Sequence, residues 1–228
     1  MKRQNYPVVH INWNPAYRII PTRYPAINVF DRVASAVDFD ALFALEGLTN
    51  DHMRNELGQI ELVPPEERLF GLGTGPIMSA FTHPNPQGSR FSDGSYGVFY
   101  CAHDKDTSIA ETAYHSALFM RATLEPPMRL QMRLYTVRAK GEITDLRDAI
   151  QNDQALVHPD RYAHAQAVGR RLREEGVNGA VYPSVRRPGG ECLAAFRPRL
   201  LSHCMHKAYY EYEWNGETII KSTQIGKQ

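Results

Sequence analysis

The chain has 228 residues, of which 43% are hydrophobic and 22% are charged, a balance that is typical of globular proteins and excludes disordered and fibrous classes. Its 26 basic and 25 acidic side chains leave a formal charge of only +1. No strongly basic surface is therefore expected for direct contact with nucleic acid.

The length predicts one domain spanning residues 1–228, because a chain of this size buries enough apolar surface without covalent cross-links. Cys101, Cys192 and Cys204 are an odd number without a disulfide spacing, which indicates free thiols in a reducing compartment. The N-terminus has no apolar signal-peptide core, and no apolar run reaches the ~18 residues of a membrane span. We therefore expect a cytoplasmic protein.

The first part of the chain begins with a strand and continues with helical patterning. Residues 8–20 are apolar with aromatic interruptions and predict a strand that carries Tyr17 and Arg18. Apolar residues recur near helical spacing from about residue 28 to 60, with Asp31 placed to cap a helix, and predict a helical insertion. Glycine and proline then predict a long irregular approach to Arg90.

A strand followed by a helix is predicted in the middle of the chain. Residues 97–102 are β-rich, and a polar cluster after them can cap a helix that runs to about Arg121. An inward apolar stripe leaves Glu111 on a neighbouring face, one turn inside the helix. The candidate caps are Asp104, Asp106 and Thr107, and the stripe consists of Ile109, Ala113, Ala117 and Met120.

The last part of the chain alternates between strands and helix. Period-two patterning predicts a strand over residues 130–134 and another near Ile143. A helix is predicted over 160–175, and a strand over 179–183 places Ser184 just past its end. A further apolar run covers 192–196, and a C-terminal hairpin over about 207–222 turns at Asn215-Gly216.

Three polar residues in the middle of the chain are placed to share a site. Arg90 follows a glycine-containing loop, Tyr100 lies ten positions later in the predicted strand, and Glu111 lies eleven positions further on the predicted helix. An arginine on a loop, a tyrosine in a strand and a glutamate on a helix are also common structural residues. Residue type and spacing alone therefore leave both a functional and a structural interpretation open.

Three segments together resemble the RES domain family, which is named for its arginine, glutamate and serine. They are AYRIIP, GSRFSDGSYGVFYCAHDKDTSIAETAYH and GAVYPSVRRPGGECLAAF, and the resemblance covers Arg18 and roughly residues 71–198. It implies an α+β fold, with an ADP-ribosyltransferase-like core of small mixed or antiparallel sheets and flanking helices, to which the N-terminal helical insertion is added. The chain departs from the family in Phe91, where tryptophan is usual, in a longer segment from about 25 to 84, and in the tail after His203.

The resemblance also implies which residues form the site. Matched position by position, the family's arginine is Arg90, its strand tyrosine is Tyr100 and its helix glutamate is Glu111, and these three are implied as catalytic residues. The late serine matches Ser184, which would hydrogen-bond the substrate near the ribose or the carboxamide. Substrate binding is implied for Arg18, Tyr17 and Ser184.

The reaction implied by the resemblance is cleavage of the nicotinamide–ribose bond of NAD, which is a substrate here and not a prosthetic group. The bond breaks through a ribosyl cation, which Glu111 would stabilise. The guanidinium groups of Arg18 and Arg90 match pyrophosphate oxygens in a forked geometry. Tyr100, with Tyr17 in reserve, would stack against the nicotinamide and exclude water.

Three functions stay open at this point. The first is a bacterial toxin of a toxin–antitoxin pair that depletes NAD by hydrolysis or, with inorganic phosphate as co-substrate, by phosphorolysis. The second is a mono-ADP-ribosyltransferase that modifies a protein, and the third is a non-catalytic partner of a DNA-binding antitoxin. The resemblance implies a helix-turn-helix, Xre-like antitoxin as partner, and homo-oligomers or hetero-oligomers with that antitoxin.

Other patterns are weaker. Zinc binding by His203, Cys204 and His206 with Cys192 has no paired ligand spacing, so no metal site is expected. A hydrolase triad of Ser184 with His115 lacks the G-x-S-x-G turn. The run from Gly71 to Gly75 lacks the lysine and the helix signal of a phosphate-binding loop.

Overall fold

The computed structural model describes residues 6–24, 27–33, 35–39 and 55–227. Most of the helical insertion predicted over residues 28–60 lies outside these ranges, so the insertion stays a prediction. Within the described residues, short helical stretches occur at 36–39 and 55–57.

The described residues form a seven-stranded sheet with three longer helices around it, which we number in chain order. The strands are β1 (Val8–Pro21), β2 (Phe99–Ala102), β3 (Met128–Asp145), β4 (Gly179–Pro183), β5 (Glu191–Ala195), β6 (Leu201–Trp214) and β7 (Ile219–Lys227). The helices are α1 (Gly75–Thr82), α2 (Lys105–Ala122) and α3 (Ala163–Glu174).

The sheet is mixed and mostly antiparallel. Its strand order is β1-β2-β5-β4-β3-β6-β7, and β1 also pairs with β3, so that five strands close a ring from which β6 and β7 extend. Only the β3–β4 contact, at Thr144↔Ala180 and Asp145↔Val181, is parallel among the described pairings. A mixed sheet with flanking helices confirms the predicted α+β class.

β3 is one continuous strand of 18 residues, whereas the sequence predicted two separate strands, and that prediction was wrong. The strand is held together because it pairs with β1 over nearly its whole length, from Met132↔Pro21 to Thr144↔Val8. Its residues 128–139 also pair with β6 on the other side. The predicted C-terminal hairpin is present, with strands longer than expected.

The start of α2 is the helix start that the sequence predicted. The Asp104 carboxylate accepts hydrogen bonds from the Thr107 amide at 2.9 Å and the Thr107 hydroxyl at 2.6 Å, which satisfies donors that the first turn leaves free. Ala117 and Met120 are buried, and Ile109 packs partly against the core beneath the helix.

α1 lies within the segment for which the sequence predicted irregular structure. Gly75 and Pro76 are breakers inside a helix, but proline is compatible with the first helical turn, where its missing N–H removes no hydrogen bond. The Asp31 carboxylate accepts a hydrogen bond from the Gly75 amide at 2.5 Å. Asp31 therefore caps α1, and the prediction that it caps a helix of the insertion was wrong.

α3 packs directly on the backbone beside Arg90. A Cβ added at Gly169 would lie 2.3 Å from the Phe91 carbonyl oxygen, so only glycine permits this approach. Phe91 is completely buried, and its ring packs edge-on against the rings of Tyr182 and Phe196. The close contact with α3 therefore fixes the residue that follows Arg90.

Gly169→Ala is expected to destabilise the protein by about 1–3 kcal/mol, because the added methyl group overpacks a buried contact and outweighs the gain in helix propensity. Gly226→Ala is the matched control, since a Cβ there meets only the Tyr209 ring at 3.8 Å. Urea unfolding of both variants measures the difference. Equal stability of the two variants would contradict this packing.

Candidate active site

Glu111 in α2 is held by the turn that follows β4. Its Oε1 accepts hydrogen bonds from Ser184 Oγ at 2.6 Å, the Val185 amide at 3.1 Å and the Arg186 amide at 3.4 Å. Its Oε2 accepts none from the residues that the structure describes. One carboxylate oxygen therefore fixes the group in place, and the other is left for a hydrogen-bond donor from a ligand.

The turn over residues 184–190 is itself closed by hydrogen bonds. Ser184 Oγ accepts from the amides of Arg186 at 3.2 Å and Arg187 at 3.0 Å, and the Ser184 amide donates to the Gly190 carbonyl at 2.8 Å. Arg187 Nη1 donates to Asp104 Oδ1 at 3.1 Å. Because Asp104 also caps α2, the turn is fastened to the helix that carries the carboxylate.

Tyr100 ties together the residues on both sides of Arg90. Its hydroxyl shares a hydrogen bond of 2.8 Å with Ser89 Oγ and accepts one of 3.0 Å from the Phe91 amide. Burial raises the pKa of Tyr100 to about 12, although these hydrogen bonds act in the opposite direction. The neutral phenol therefore positions the loop that carries Arg90, and stacking of its ring against nicotinamide stays a prediction.

Arg90 is a buried cation, only 7% exposed. Its Nη1 donates to the carbonyl oxygens of Leu156 at 3.2 Å and His158 at 2.9 Å, and its Cζ lies 4.9 Å from the centre of the Tyr162 ring. No carboxylate within the described ranges forms an ion pair with it. A buried guanidinium that is not neutralised locally is suited to bind an anion.

The charges of Glu111 and Arg90 act on the same buried side chains. Burial raises the pKa of Cys192, and Glu111 raises it further while Arg90 lowers it. The pKa of Tyr182 is raised by burial and by neighbouring groups that include Tyr100 and Glu111, again against Arg90. The carboxylate, the guanidinium and the phenol therefore lie within electrostatic range of the same side chains.

Tyr17 and Arg18 lie on different faces of the sheet. Tyr17 pairs with Ala102, which lies two residues after Tyr100 on the same face of β2. The Tyr17 side chain packs partly against the core beneath α2. Arg18 Nη1 donates to the Tyr100 carbonyl at 2.8 Å, and its Cζ lies 4.4 Å from the centre of the Phe99 ring. Because Phe99 and Tyr100 alternate along β2, the Arg18 guanidinium lies on the face opposite the Tyr100 hydroxyl.

The structure thus brings four predicted residues around one region, namely Arg90, Tyr100, Glu111 and Ser184. Tyr17 lies on the same face of the sheet, and Arg18 lies on the other face, where burial lowers its pKa. The substrate-binding roles of Tyr17 and Arg18 stay predictions. Sequence reasoning missed two residues near the site, Tyr182 and Arg186. The only sequence feature that could have indicated them is their position two residues before and two residues after Ser184.

A cavity of about 750 Å³ lies elsewhere, on the face of β3 opposite α2. Arg133 and Tyr135 line it, whereas the alternate residues Met132 and Leu134 pack in the core beneath α2. None of the predicted site residues lines this cavity. We therefore locate the candidate site by the side-chain chemistry around Glu111 and not by cavity size.

No group of three or more histidine, cysteine, aspartate or glutamate side chains is arranged to hold a metal ion in the part of the chain that the structure describes. Cys192 packs in the same core as Phe91, while Cys204 packs in the core that contains Ile11. The cysteines considered for zinc are therefore separated. Among the described helices, none has the length and apolar character needed to cross a membrane.

Comparison with known proteins identifies the family. The RES domain matches residues 67–215, a range that contains Arg90, Tyr100, Glu111 and Ser184, and the chain belongs to the RES domain family. A relative, "Uncharacterized protein y4oC" of Sinorhizobium fredii (strain NBRC 101917 / NGR234), is 30% identical over 205 residues, which cover 89% of this chain and 84% of the relative. The M. tuberculosis MbcT-MbcA toxin-antitoxin complex contains a solved chain that aligns with a TM-score of 0.48 and 15% identity, covering 91% of this chain and 87% of that one.

Tyr100→Phe is expected to lower the free energy of unfolding by about 1–3 kcal/mol, because Ser89 and the Phe91 amide lose a partner. The effect depends on pH, since the folded phenol has a pKa of about 12 against 10.0 in the unfolded chain. This contribution is fully present below pH 10 and is lost as pH rises towards 12, because the unfolded state loses its proton first.

Urea unfolding at a series of pH values from 8 to about 11 tests this prediction. The unmodified protein should lose more stability than Tyr100→Phe as pH rises above 10. Tyr24→Phe is the control, because Tyr24 is 52% exposed. Parallel curves for the unmodified protein and Tyr100→Phe would contradict a buried, neutral phenol.

Proposed function

We propose that this RES domain protein is the toxin of a toxin–antitoxin pair and that it depletes NAD by cleaving the nicotinamide–ribose bond. The observation that carries the proposal is the Glu111 carboxylate, with Oε1 fixed by the turn after β4 and Oε2 without a partner in the described residues. Buried Arg90 and partly buried Tyr100 lie near the same side chains. Membership of the family supports the toxin role.

Glu111 suits the stabilisation of a ribosyl cation. When the bond breaks, its electron pair leaves with the nicotinamide, which becomes neutral, so no general acid is required. The ribose is left with a positive charge, and a carboxylate held beside it lowers the energy of that transition state. The Ser184 hydroxyl, the Val185 and Arg186 amides and the more distant Cys192 thiol at 3.9 Å hold Oε1 in one orientation before the substrate binds, which avoids reorganisation during the reaction.

The second substrate is water or inorganic phosphate. Attack by water on the cation gives ADP-ribose and releases a proton, whereas attack by phosphate gives ADP-ribose 1″-phosphate. His115 lies one helical turn after Glu111 and is exposed, and its pKa is lowered by partial desolvation and by Arg186 and Arg90, against Glu111. A neutral imidazole at this position can accept the proton of attacking water.

Arg90 and Tyr100 contribute binding and positioning. The Arg90 guanidinium has no carboxylate partner in the described residues, and it would bind an oxygen of the substrate pyrophosphate. Tyr100 holds the residues on both sides of Arg90 through its hydroxyl. Ser184 acts through Glu111 and is therefore a positioning residue.

The partner proposed is a helix-turn-helix, Xre-like antitoxin that covers the site, so that this chain reaches DNA only through its partner. Both would act in the cytoplasm, as hetero-oligomers or with this chain as a homo-oligomer. The antitoxin would block NAD turnover by occupying the region around Glu111.

Two other functions would use the same chain differently. A mono-ADP-ribosyltransferase would pass the ribosyl group to a protein, and a non-catalytic partner of the antitoxin would leave NAD intact. Mass spectrometry of NAD incubated with the purified protein, with and without inorganic phosphate, separates these outcomes. The proposal predicts ADP-ribose or its 1″-phosphate as the product. ADP-ribose attached to a protein, or unchanged NAD, would contradict it.

Glu111→Gln is expected to lower NAD turnover by about 100-fold or more, because it removes the charge that stabilises the cation while keeping an acceptor oxygen for Ser184. Growth arrest on expression should disappear with it. Glu217→Gln is the matched control, since Glu217 is exposed in the turn between β6 and β7. Turnover within a few-fold of the unmodified protein by a folded Glu111→Gln variant would contradict the role of this carboxylate.

A further inference from the structure

Arg186 brings a second guanidinium to the region around Glu111. Its amide donates to Glu111 Oε1 at 3.4 Å, so its backbone belongs to the turn that fixes the carboxylate. Its Cζ lies 3.2 Å from the centre of the Tyr114 ring, three residues after Glu111 on α2. The ring holds the guanidinium beside the helix that carries the carboxylate.

The Arg186 and Arg90 guanidinium groups bind neighbouring carbonyls of one segment. Arg90 Nη1 donates to the His158 carbonyl at 2.9 Å, and Arg186 Nη2 donates to the Pro159 carbonyl at 2.7 Å. Two cations therefore approach two adjacent oxygen acceptors. A pyrophosphate also presents adjacent oxygens, but with negative charge, and a guanidinium gains a Coulomb attraction to a charged oxygen that a neutral carbonyl does not supply.

Arg186 also has unused binding capacity. Its side chain is 13% exposed, and its buried Nε makes no hydrogen bond to the described residues. A buried donor without a partner is unfavourable, so the guanidinium is not fully satisfied in its present position. Its nearest carboxylate, Asp160, lies 3.7 Å from Nη2 and accepts a hydrogen bond from the Tyr114 hydroxyl.

We infer that Arg186 joins Arg90 in binding the pyrophosphate of a dinucleotide, and that the segment 158–160 competes with the pyrophosphate for both guanidinium groups. This inference rests on the proposed function, because it assumes a dinucleotide substrate. In this inference Arg186 takes the place of Arg18 as the second phosphate-binding arginine. The Arg18 guanidinium lies on the other face of the sheet and donates to the Tyr100 carbonyl.

The inference predicts opposite effects at neighbouring positions. Arg186→Gln should weaken the binding of ADP-ribose by about tenfold to a hundredfold, because it removes a charged hydrogen-bond donor from the pyrophosphate. Asp160→Asn should tighten the same binding several-fold, because it removes the negative charge that competes for Arg186. A loss of structure alone would not move the two affinities in opposite directions.

Isothermal titration calorimetry with ADP-ribose as the probe measures these affinities on the purified full chain. Arg129→Gln is the control, since Arg129 is 69% exposed and pairs with Glu211 on the surface. Asp160 is 62% exposed, so Asp160→Asn should fold even if Arg186→Gln does not.

Turnover adds a readout that a structural role would not give. Arg186→Gln should raise the KM for NAD but leave the KM for nicotinamide riboside, which has no phosphate, within about twofold. Unchanged ADP-ribose affinity in Arg186→Gln, or unchanged or weaker affinity in Asp160→Asn, would overturn the inference while the unmodified protein still cleaves NAD. If the unmodified protein neither binds ADP-ribose nor cleaves NAD, the proposed function fails and this inference fails with it.

Discussion

The hydrogen bond of 2.6 Å from the Ser184 hydroxyl to Glu111 connects two parts of the chain that lie 73 residues apart. It forms because β5 pairs with β2 on one side and with β4 on the other, which places the end of β4 beside the helix that follows β2. The Arg187–Asp104 contact fastens the turn after β4 to the start of that helix. Sheet order, helix cap and turn closure therefore all serve to hold one carboxylate oxygen and leave the other free of partners in the described residues.

The site combines a fixed anion with two cations, of which Arg90 has no ion pair in the described residues and Arg186 has one with the exposed Asp160 at 3.7 Å. Arg90 is buried with two carbonyl oxygens and the Tyr162 ring as its partners, which is unfavourable compared with exposure to water and is tolerated where binding requires it. Arg186 is held by a ring stack and one carbonyl, with a carboxylate only at 3.7 Å. Such an arrangement suits a ligand with a sugar to meet Glu111 and phosphates to meet the guanidinium groups. The segment over residues 156–160 then acts as the competitor that a ligand must displace.

Local patterns predicted the elements whose causes are local. The Asp104 cap, the first strand and the Asn215-Gly216 turn depend on residues close in sequence, and the structure has all three. The continuity of β3 depends on a partner strand more than a hundred residues away. The alternation of apolar and polar residues alone therefore predicted two separate strands. The capping of α1 by Asp31 is likewise a tertiary contact that spacing does not reveal.

Only part of the candidate site could be predicted, because its other contacts also depend on residues that are distant in sequence. Residues matched to the family, such as Glu111 and Ser184, are adjacent in the structure, but a motif does not state on which side of a strand a side chain lies. Arg18 is the example, because one position along β1 decides between the two faces of the sheet. Arg186 was missed because its importance comes from the ring and the carbonyl that hold it, and neither is close to it in sequence.

The central claim is that the Glu111 carboxylate contacts the ribose of NAD. A crystal structure of the Glu111→Gln variant soaked with NAD tests this claim most directly. The ribose attached to nicotinamide should lie within hydrogen-bond distance of the side chain at position 111, on the oxygen or nitrogen that the turn over residues 184–187 does not contact. A dinucleotide bound instead in the cavity lined by Arg133 and Tyr135, with the region around position 111 empty, would contradict it.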